Sequence, residues 1–252
     1  MIFRYKLIIE YNGINYVGWQ RQKKSFPSVQ ESLHKAFKIF SRHNVLIYAS
    51  GRTDAGVHAL GQVAHVDLEK KWPVSTIYSA INFYLETQSI VIISVEQVSI
   101  RFHARFSAIK RHYMYRLINR NSCLSINASV VCLINYPLNV DNMNKSAKLF
   151  LGSHDFKSFR SKSCQSISSI KTLDLLEFYQ EGSEIKVFIS ARSFLHNQVR
   201  NIIGILILIG SGKILPYHIS DILYFNNKNY VRFTAPACGL YLNKVDYNII
   251  SY

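Results

Sequence analysis

The fold turns on one stretch: Val45-Leu46-Ile47-Tyr48-Ala49-Ser50-Gly51-Arg52-Thr53-Asp54-Ala55-Gly56-Val57-His58-Ala59, a short apolar run feeding a glycine-flanked turn. Gly51 and Gly56 carry no Cβ, so the backbone around them can turn sharply and come close to a ligand. Ala55 is small to the same end. Asp54 is thereby predicted on a tight turn at a strand end, where a carboxylate is presented to a substrate instead of being lost on a helix surface. Taken alone, Arg52 and Asp54 read first as a polar pair on a surface loop, since turns attract Gly and Asp. The flanking sequence has to decide.

Working backwards, Ser28 and Glu31 have capping-box spacing. Val29, Leu33, Ala36, Phe37 and Phe40 follow as the apolar stripe of a helix. Before that, Phe3, Tyr5, Leu7 and Ile9 alternate with Arg4, Lys6 and Glu10, a strand with one buried face. Asn12-Gly13 turns the chain into an aromatic, polar loop over 16–22. Working forwards, residues 44–50 form a strand ahead of the Asp54 turn, and Ala64, Val66 and Leu68 alternate in the next. Pro73 opens a helix through Ile77, Ile81 and Leu85, and residues 90–98 form an apolar strand. The order β-α-β-β-α-β is the split βαβ, or ferredoxin-like, arrangement. Residues 1–104 are therefore predicted as one α/β half carrying the aspartate.

Residues 105–252 repeat that order without visible identity. Tyr113, Tyr115 and Leu117 alternate along a strand over 112–119, and a helix follows over 140–151. Strands over 170–179 and 184–191 flank a turn at Gln180-Glu181-Gly182-Ser183. A long helix over 193–210 ends at Gly210-Ser211-Gly212, a short one covers 217–225, and Gly239–Val245 reads as a last strand. The expected class is α+β, and two such halves place a cleft between them, a common position for a ligand.

Composition narrows the function classes. Apolar residues make up 48% of the 252, which suits a globular chain. Charges interrupt the N-terminal apolar positions from Arg4 on, so no signal peptide is read. The apolar run Ile202–Ile209 contains Gly204 and falls far short of the ~20 residues that span a bilayer. The expectation is a soluble protein, with no membrane partner. The four cysteines show no CxxC spacing and the nine histidines no HExxH pattern, so neither a zinc site nor a disulfide framework is expected, and a reducing cytoplasm fits. The formal net charge of +15 favours a polyanionic partner, and nucleic acid is the commonest. Richness in Ile, Asn, Lys and Tyr offers a competing, purely compositional source of the lysines.

Two stretches carry nucleic-acid chemistry. Phe102-His103-Ala104-Arg105-Phe106 alternates aromatic and basic groups at the junction of the halves. The segment over 157–166 is basic and rich in hydroxyls. Arginine and lysine meet phosphates, aromatics stack on unpaired bases, and Ser or Gln bond phosphate oxygens. Each alone reads first as a solvated linker.

Together these motifs resemble a specific family. Tyr11-Asn12-Gly13 with Gly18-Trp19-Gln20-Arg21-Gln22, then Gly51–His58, then Phe102–Ala108, Arg111, Tyr113 and Tyr115 follow the tRNA pseudouridine synthase A pattern. Asp155-Phe156, Ser158-Phe159-Arg160, Phe194, His196, Val199–Ile202, Ala235-Pro236-Ala237 and Gly239–Leu242 continue it over nearly the whole chain. The resemblance implies isomerisation of uridine to pseudouridine at positions 38, 39 and 40 of the anticodon stem-loop of tRNA. It also implies two α/β halves that share a mainly antiparallel sheet around a central basic cleft, a homodimer, and no cofactor or metal. Ser161-Lys162-Ser163 and Asn82–Glu86 depart from the family pattern.

The chemistry suits the residues. The bond from C1′ to N1 of uracil breaks, the base turns while held, and C1′ bonds to C5, which then loses its proton. Nothing is oxidised and no water enters. A carboxylate can attack C1′ or stabilise charge there, and water must be excluded or the base is lost to hydrolysis. The resemblance makes Asp54 that carboxylate and leaves open whether it adds to the sugar, adds to the base or removes a sugar proton. Arg200, by itself a charge on the exposed face of an apolar helix, matches the family's basic partner of the aspartate. Tyr113, by itself one tyrosine of sixteen, matches the residue that packs on the target uracil. Arg52 matches the residue that displaces the nucleotide, which must leave the stack before its C1′ can be reached. Phe102, His103, Ala104, Arg105 and Phe106, with Ser163, Cys164, Gln165, Ser166 and Ile167, align with RNA-contacting segments. Two rivals stand beside this. A non-catalytic RNA-binding module would lose only affinity on Asp54→Asn. A phosphate-handling metabolic enzyme should carry a glycine-rich phosphate loop, and the chain has none.

Overall fold

In the computed structural model, which describes residues 1–22, 26–161, 164–225 and 227–248, the chain gathers into two units. One comprises Met1–Ile109 with the segment from Tyr241 onward, the other Lys110–Leu240. The class is mixed α/β with mostly antiparallel strand pairing, and five α-helices occur among the described residues.

The first unit opens with β1 (Phe3–Tyr11), whose Tyr5, Leu7, Ile9 and Tyr11 are buried, as the alternation predicts. Helix α1 (Val29–Ser41) starts where Ser28 Oγ accepts from the Glu31 amide at 3.2 Å, and it buries Val29, Leu33, Ala36 and Phe37. The Glu31 carboxylate itself pairs with Arg21 Nε at 2.6 Å. Strand β2 (Ile47–Ala49) is shorter than the expected 44–50, because it pairs only with β3 (His58–Leu68) and leaves Leu46 and Tyr48 exposed. Helix α2 (Val74–Leu85) follows Pro73, buries Ile77, Ile81 and Leu85, and leads to β4 (Ile90–Val98). α2 packs on α1 and on β4. The strands lie in the order β4-β1-β3-β2, all antiparallel neighbours. β3 is inside that order and is buried along nearly its whole length.

The second unit builds β5 (Ala108–Asn119), β6 (Cys132–Ile134), α3 (Val140–Ala147), β7 (Gly152–Asp155), β8 (Ile170–Glu181), β9 (Glu184–Ala191), α4 (Gln198–Gly210) and α5 (His218–Tyr224). Its strand order is β6-β5-β9-β8-β7, with β6 parallel to β5 and the other neighbours antiparallel. β6 and β7 have three and four residues and no apolar alternation, so periodicity could not announce them. α4 begins at Gln198, not at the expected 193. Asn197 is left-handed (φ +65°), which ends any helix run into it, and the Gln198 side chain accepts from the Leu195 amide at 2.8 Å. From Ile202 to Ile207 every residue of α4 is buried, as befits a helix apolar all round. The last strand, β10 (Leu240–Tyr247), returns the chain to the first unit, where Tyr241 and Leu242 pair parallel with His58 and Ala59 of β3.

None of the helices is long and apolar enough to cross a membrane, among the described residues.

Candidate active site

The turn carrying Arg52 and Asp54 joins β2 to β3. Gly56 is its left-handed residue (φ +75°), and the Val57 amide closes it onto the Asp54 carbonyl at 3.2 Å. A Cβ at Gly51 would meet nothing within 4 Å, so the expected steric need for glycine falls on Gly56 alone. Arg52 is exposed, Asp54 half-buried, and Thr53 between them buried.

The backbone clearances that matter lie one loop earlier. A Cβ at Gly13 would stand 2.0 Å from the Val57 carbonyl oxygen, and one at Gly18 (φ +104°) 2.5 Å from the Thr53 oxygen. The loop therefore lies directly on the turn. Trp19, buried, donates its amide to the Thr53 carbonyl at 3.1 Å, and the Gly56 amide reaches the Tyr16 carbonyl at 3.3 Å. The Gly13 amide donates to Nδ1 of buried His58 at 3.1 Å. From β1, the Tyr11 hydroxyl meets Thr53 Oγ1 at 2.8 Å, and burial pushes its pKa up to about 12 against the opposing effect of that hydrogen bond.

Phe102–Phe106 belongs to the same unit. Arg4 grips Asp67 with two hydrogen bonds (2.7 and 2.6 Å) and donates to the carbonyls of Ile100 and Phe102. Ala104, fully buried, donates its amide to His65 Nδ1 at 3.1 Å and accepts at its carbonyl from the Tyr247 hydroxyl at 2.7 Å. His103 Nδ1 accepts from the amides of Arg105 and Phe106, which curls the segment back on itself. Rings continue outward from Tyr48 to His65 (5.0 Å), His103 (4.7 Å) and Phe106 (4.4 Å). Phe106 is 75% exposed, with the Arg105 guanidinium 5.6 Å from its ring. Burial, then the charge of Arg4, depresses His65 to about 4, so the ring is held neutral and able to accept.

In the second unit, Tyr113 lies on β5 opposite Ile189, half-buried, with Phe194 edge-on at 5.3 Å. Arg200 is in the first turn of α4 and is also half-buried, not displayed on an open face. Its Nε donates to the Ala235 carbonyl at 2.7 Å, while its own carbonyl accepts the Ala235 amide at 3.1 Å. That reciprocal pair requires close approach. Gly204, one turn on, provides it, since a Cβ there would stand 2.0 Å from the Phe233 carbonyl oxygen. Tyr115, buried two residues beyond Tyr113, donates to the Pro236 carbonyl at 2.9 Å, and Gly239 packs on its ring. Tyr113 and Arg200 are thus tied together through Tyr115 and the Ala235-Pro236 segment.

Of the serine-rich loop, Ser163 lies outside the described residues. Cys164 is half-buried, with its amide on the Ser161 carbonyl. Ser166 Oγ bonds the Ser168 carbonyl at 2.9 Å, and Ile167 is fully exposed. Among the described residues no three His, Cys, Asp or Glu side chains gather in a way that could hold a metal ion.

A family model described as tRNA pseudouridine synthase matches residues 7–107 and 146–248. The chain belongs to that family. It is 50% identical over 244 residues to the tRNA pseudouridine synthase A of Ehrlichia chaffeensis, a match spanning 97% of this chain and all of the relative. The corresponding proteins of Wolbachia pipientis wMel and Anaplasma phagocytophilum are 47% and 46% identical, with the same coverage. The family match covers the Asp54 turn, the loop before it, Phe102–Phe106 and α4, and it leaves out Tyr113 and the rest of β5. What sequence reasoning missed in the synthase is the support: Gln62 and His58 beneath the turn, and His65 beneath Ala104. Their signal was weak but present, since all three are polar residues inside the apolar β3 run.

Proposed function

We propose that this tRNA pseudouridine synthase isomerises uridine at positions 38, 39 and 40 of the anticodon stem-loop, with Asp54 as the carboxylate that acts on the everted nucleotide. The observation that carries the reading is the confinement of Asp54. It sits half-buried on a turn whose neighbour Thr53 is fixed through its hydroxyl by Tyr11 and through its carbonyl by Trp19. A carboxylate carried on a backbone fixed in this way costs little reorganisation when charge develops at C1′.

In this reading Arg52, exposed on the same turn, fills the space the uridine vacates and meets phosphates. Tyr113 packs on the uracil, and its edge-on contact with Phe194 supports a fixed ring plane. Arg200 is the basic partner of the aspartate, and its Nε bond to Ala235 supports a fixed guanidinium direction. Phe102–Phe106 and residues 163–167 contact the RNA, with exposed Phe106 and Arg105 suited to an unpaired base and its phosphate. The same reading gives the aspartate to the half 1–104, and the tyrosine and arginine to the half 105–252. It also carries over the family's ferredoxin-like halves, shared sheet and basic cleft, a homodimer and a cytoplasmic setting. The order β4-β1-β3-β2 supports the ferredoxin-like reading of the first unit.

The test is purified protein incubated with a uridine-containing anticodon arm, followed by nucleoside analysis. Asp54→Asn is expected to bind the RNA as the parent does and to lose turnover by at least about 10³-fold. An Asp54→Asn protein that still forms pseudouridine removes Asp54 from the chemistry.

A further inference from the structure

We propose that Gln62 is a positioning residue for the isomerisation: its side-chain amide fixes the backbone of the turn that carries Arg52 and Asp54. The proposal rests on the assignment of Asp54 as the catalytic carboxylate.

Gln62 lies in β3 and is completely buried. A primary amide in such a place must find partners for two donors and one carbonyl oxygen, and each of those found here leads into the turn. Its Oε1 accepts from Ser50 Oγ at 2.7 Å, and its Nε2 donates to the Gly51 carbonyl at 2.9 Å. One side chain therefore holds residues 50 and 51 directly. These are two of the four residues before Asp54.

The chemistry of the group is specific to this task. A hydroxyl donor faces its oxygen and a carbonyl faces its nitrogen, so only a group with both a donor and an acceptor satisfies both ends. Glutamate keeps the shape but sets an anionic oxygen against the Gly51 carbonyl. Methionine fills the volume and makes neither bond. The loop over 12–19 secures the other side of the turn at Thr53 and Val57. Without Gln62 the turn stays covered by that loop and tied by the Ser50 amide to the Val63 carbonyl at 2.7 Å, but it loses the bonds to Ser50 Oγ and to the Gly51 carbonyl. Being buried, Gln62 has no direct route to the RNA, so its removal acts on how the turn presents Asp54, and displacements well below an ångström at a reacting group suffice to slow a reaction.

The experiment compares the parent with Gln62→Met, Gln62→Glu and Asp54→Asn. Single-turnover rate on a uridine-containing anticodon arm, affinity for that RNA, and the unfolding midpoint are measured for each. Folded Gln62→Met and Gln62→Glu are expected to bind the RNA within about twofold of the parent and to turn over roughly 10- to 100-fold more slowly. A parental rate in folded Gln62→Met overturns the proposal, and so does a loss confined to RNA affinity. If the Gln62 variants do not fold, Ser50→Ala, which removes the donor to Oε1 and keeps Gln62, decides instead: a loss of roughly three- to tenfold supports the proposal, and a parental rate overturns it. Asp54→Asn separates the two claims. Turnover in that variant defeats the assignment of Asp54, whereas an inactive Asp54→Asn beside a fully active Gln62→Met defeats the positioning role alone.

Discussion

The turn over 50–57 and the loop that holds residues 164–167 are both proposed to meet the RNA, yet they are built differently. The turn is gripped from residues far away in sequence: Tyr11, Gly13, Tyr16, Gly18 and Trp19 on one side and Gln62 on the other. In the loop, the side chains of Ser166, Ser168 and Lys171 bond groups within five residues, the Ser169 carbonyl takes the Phe156 amide at 3.0 Å, and Ile167 is bare. A segment that reorients a reacting carboxylate must be fixed before substrate arrives, because any looseness there is subtracted from the rate. A segment that follows a phosphate chain can be ordered by the chain it binds.

That contrast predicts different costs for small changes. Gly18→Ala is the harshest: the new Cβ would sit 2.5 Å from the Thr53 carbonyl oxygen at a φ of +104°. It is expected to destabilise the protein by about 2–3 kcal/mol in denaturant titration. A Gly18→Ala protein as stable as its parent would show that the loop does not clamp the turn.

A smaller effect comes from acid, through the second buried anchor of β3. His65 accepts from Ala104 and faces Arg4, His103, Asp67 and Tyr48. Its pKa in the fold, about 4, lies below the ordinary 6.5. Above pH 6.5 the ring is neutral in both folded and unfolded chains and contributes no pH dependence. Between 6.5 and about 4 the unfolded chain takes up a proton that the folded chain refuses, so stability falls as the pH is lowered through that window. His65→Gln should flatten this part of the stability–pH curve relative to the parent. Two parallel curves would take His65 out of the support of Phe102–Phe106.

The mildest change is Ile167→Ser in the loop, expected to move stability by less than about 0.5 kcal/mol while weakening RNA binding, most visibly at moderate salt. Unchanged affinity would remove this residue from the RNA surface and leave the turn as the better supported half of the comparison.

Much of this architecture is legible without coordinates. Alternation at Phe3, Tyr5, Leu7 and Ile9 and the 3.6-residue stripe at Val29, Leu33, Ala36 and Phe37 each report which face of a single element is buried, and both appear as strand and helix. Ser28 capping Glu31 is a contact three residues apart, within reach of local inspection. The site is less legible. Asp54 stands out because its turn is distinctive, whereas Gln62, His58 and His65 look like polar interruptions of a strand until the loops they hold are seen.

What the sequence determines here is local: the order of strands and helices, the position of the Asp54 turn and the motifs that mark the family. Periodicity and capping are properties of a few consecutive residues, so they survive being read in one dimension. Only the tertiary structure decides which strand is whose neighbour and which glycine is indispensable. Gly239–Val245 announces a strand, but nothing in its alternation says that Tyr241 and Leu242 will lie beside His58 and Ala59. Gly13 and Gly18 look ordinary until the backbones of Val57 and Thr53 are brought against them. Those contacts join residues some 35 to 180 positions apart, and close packing between distant segments leaves no periodic trace in either one.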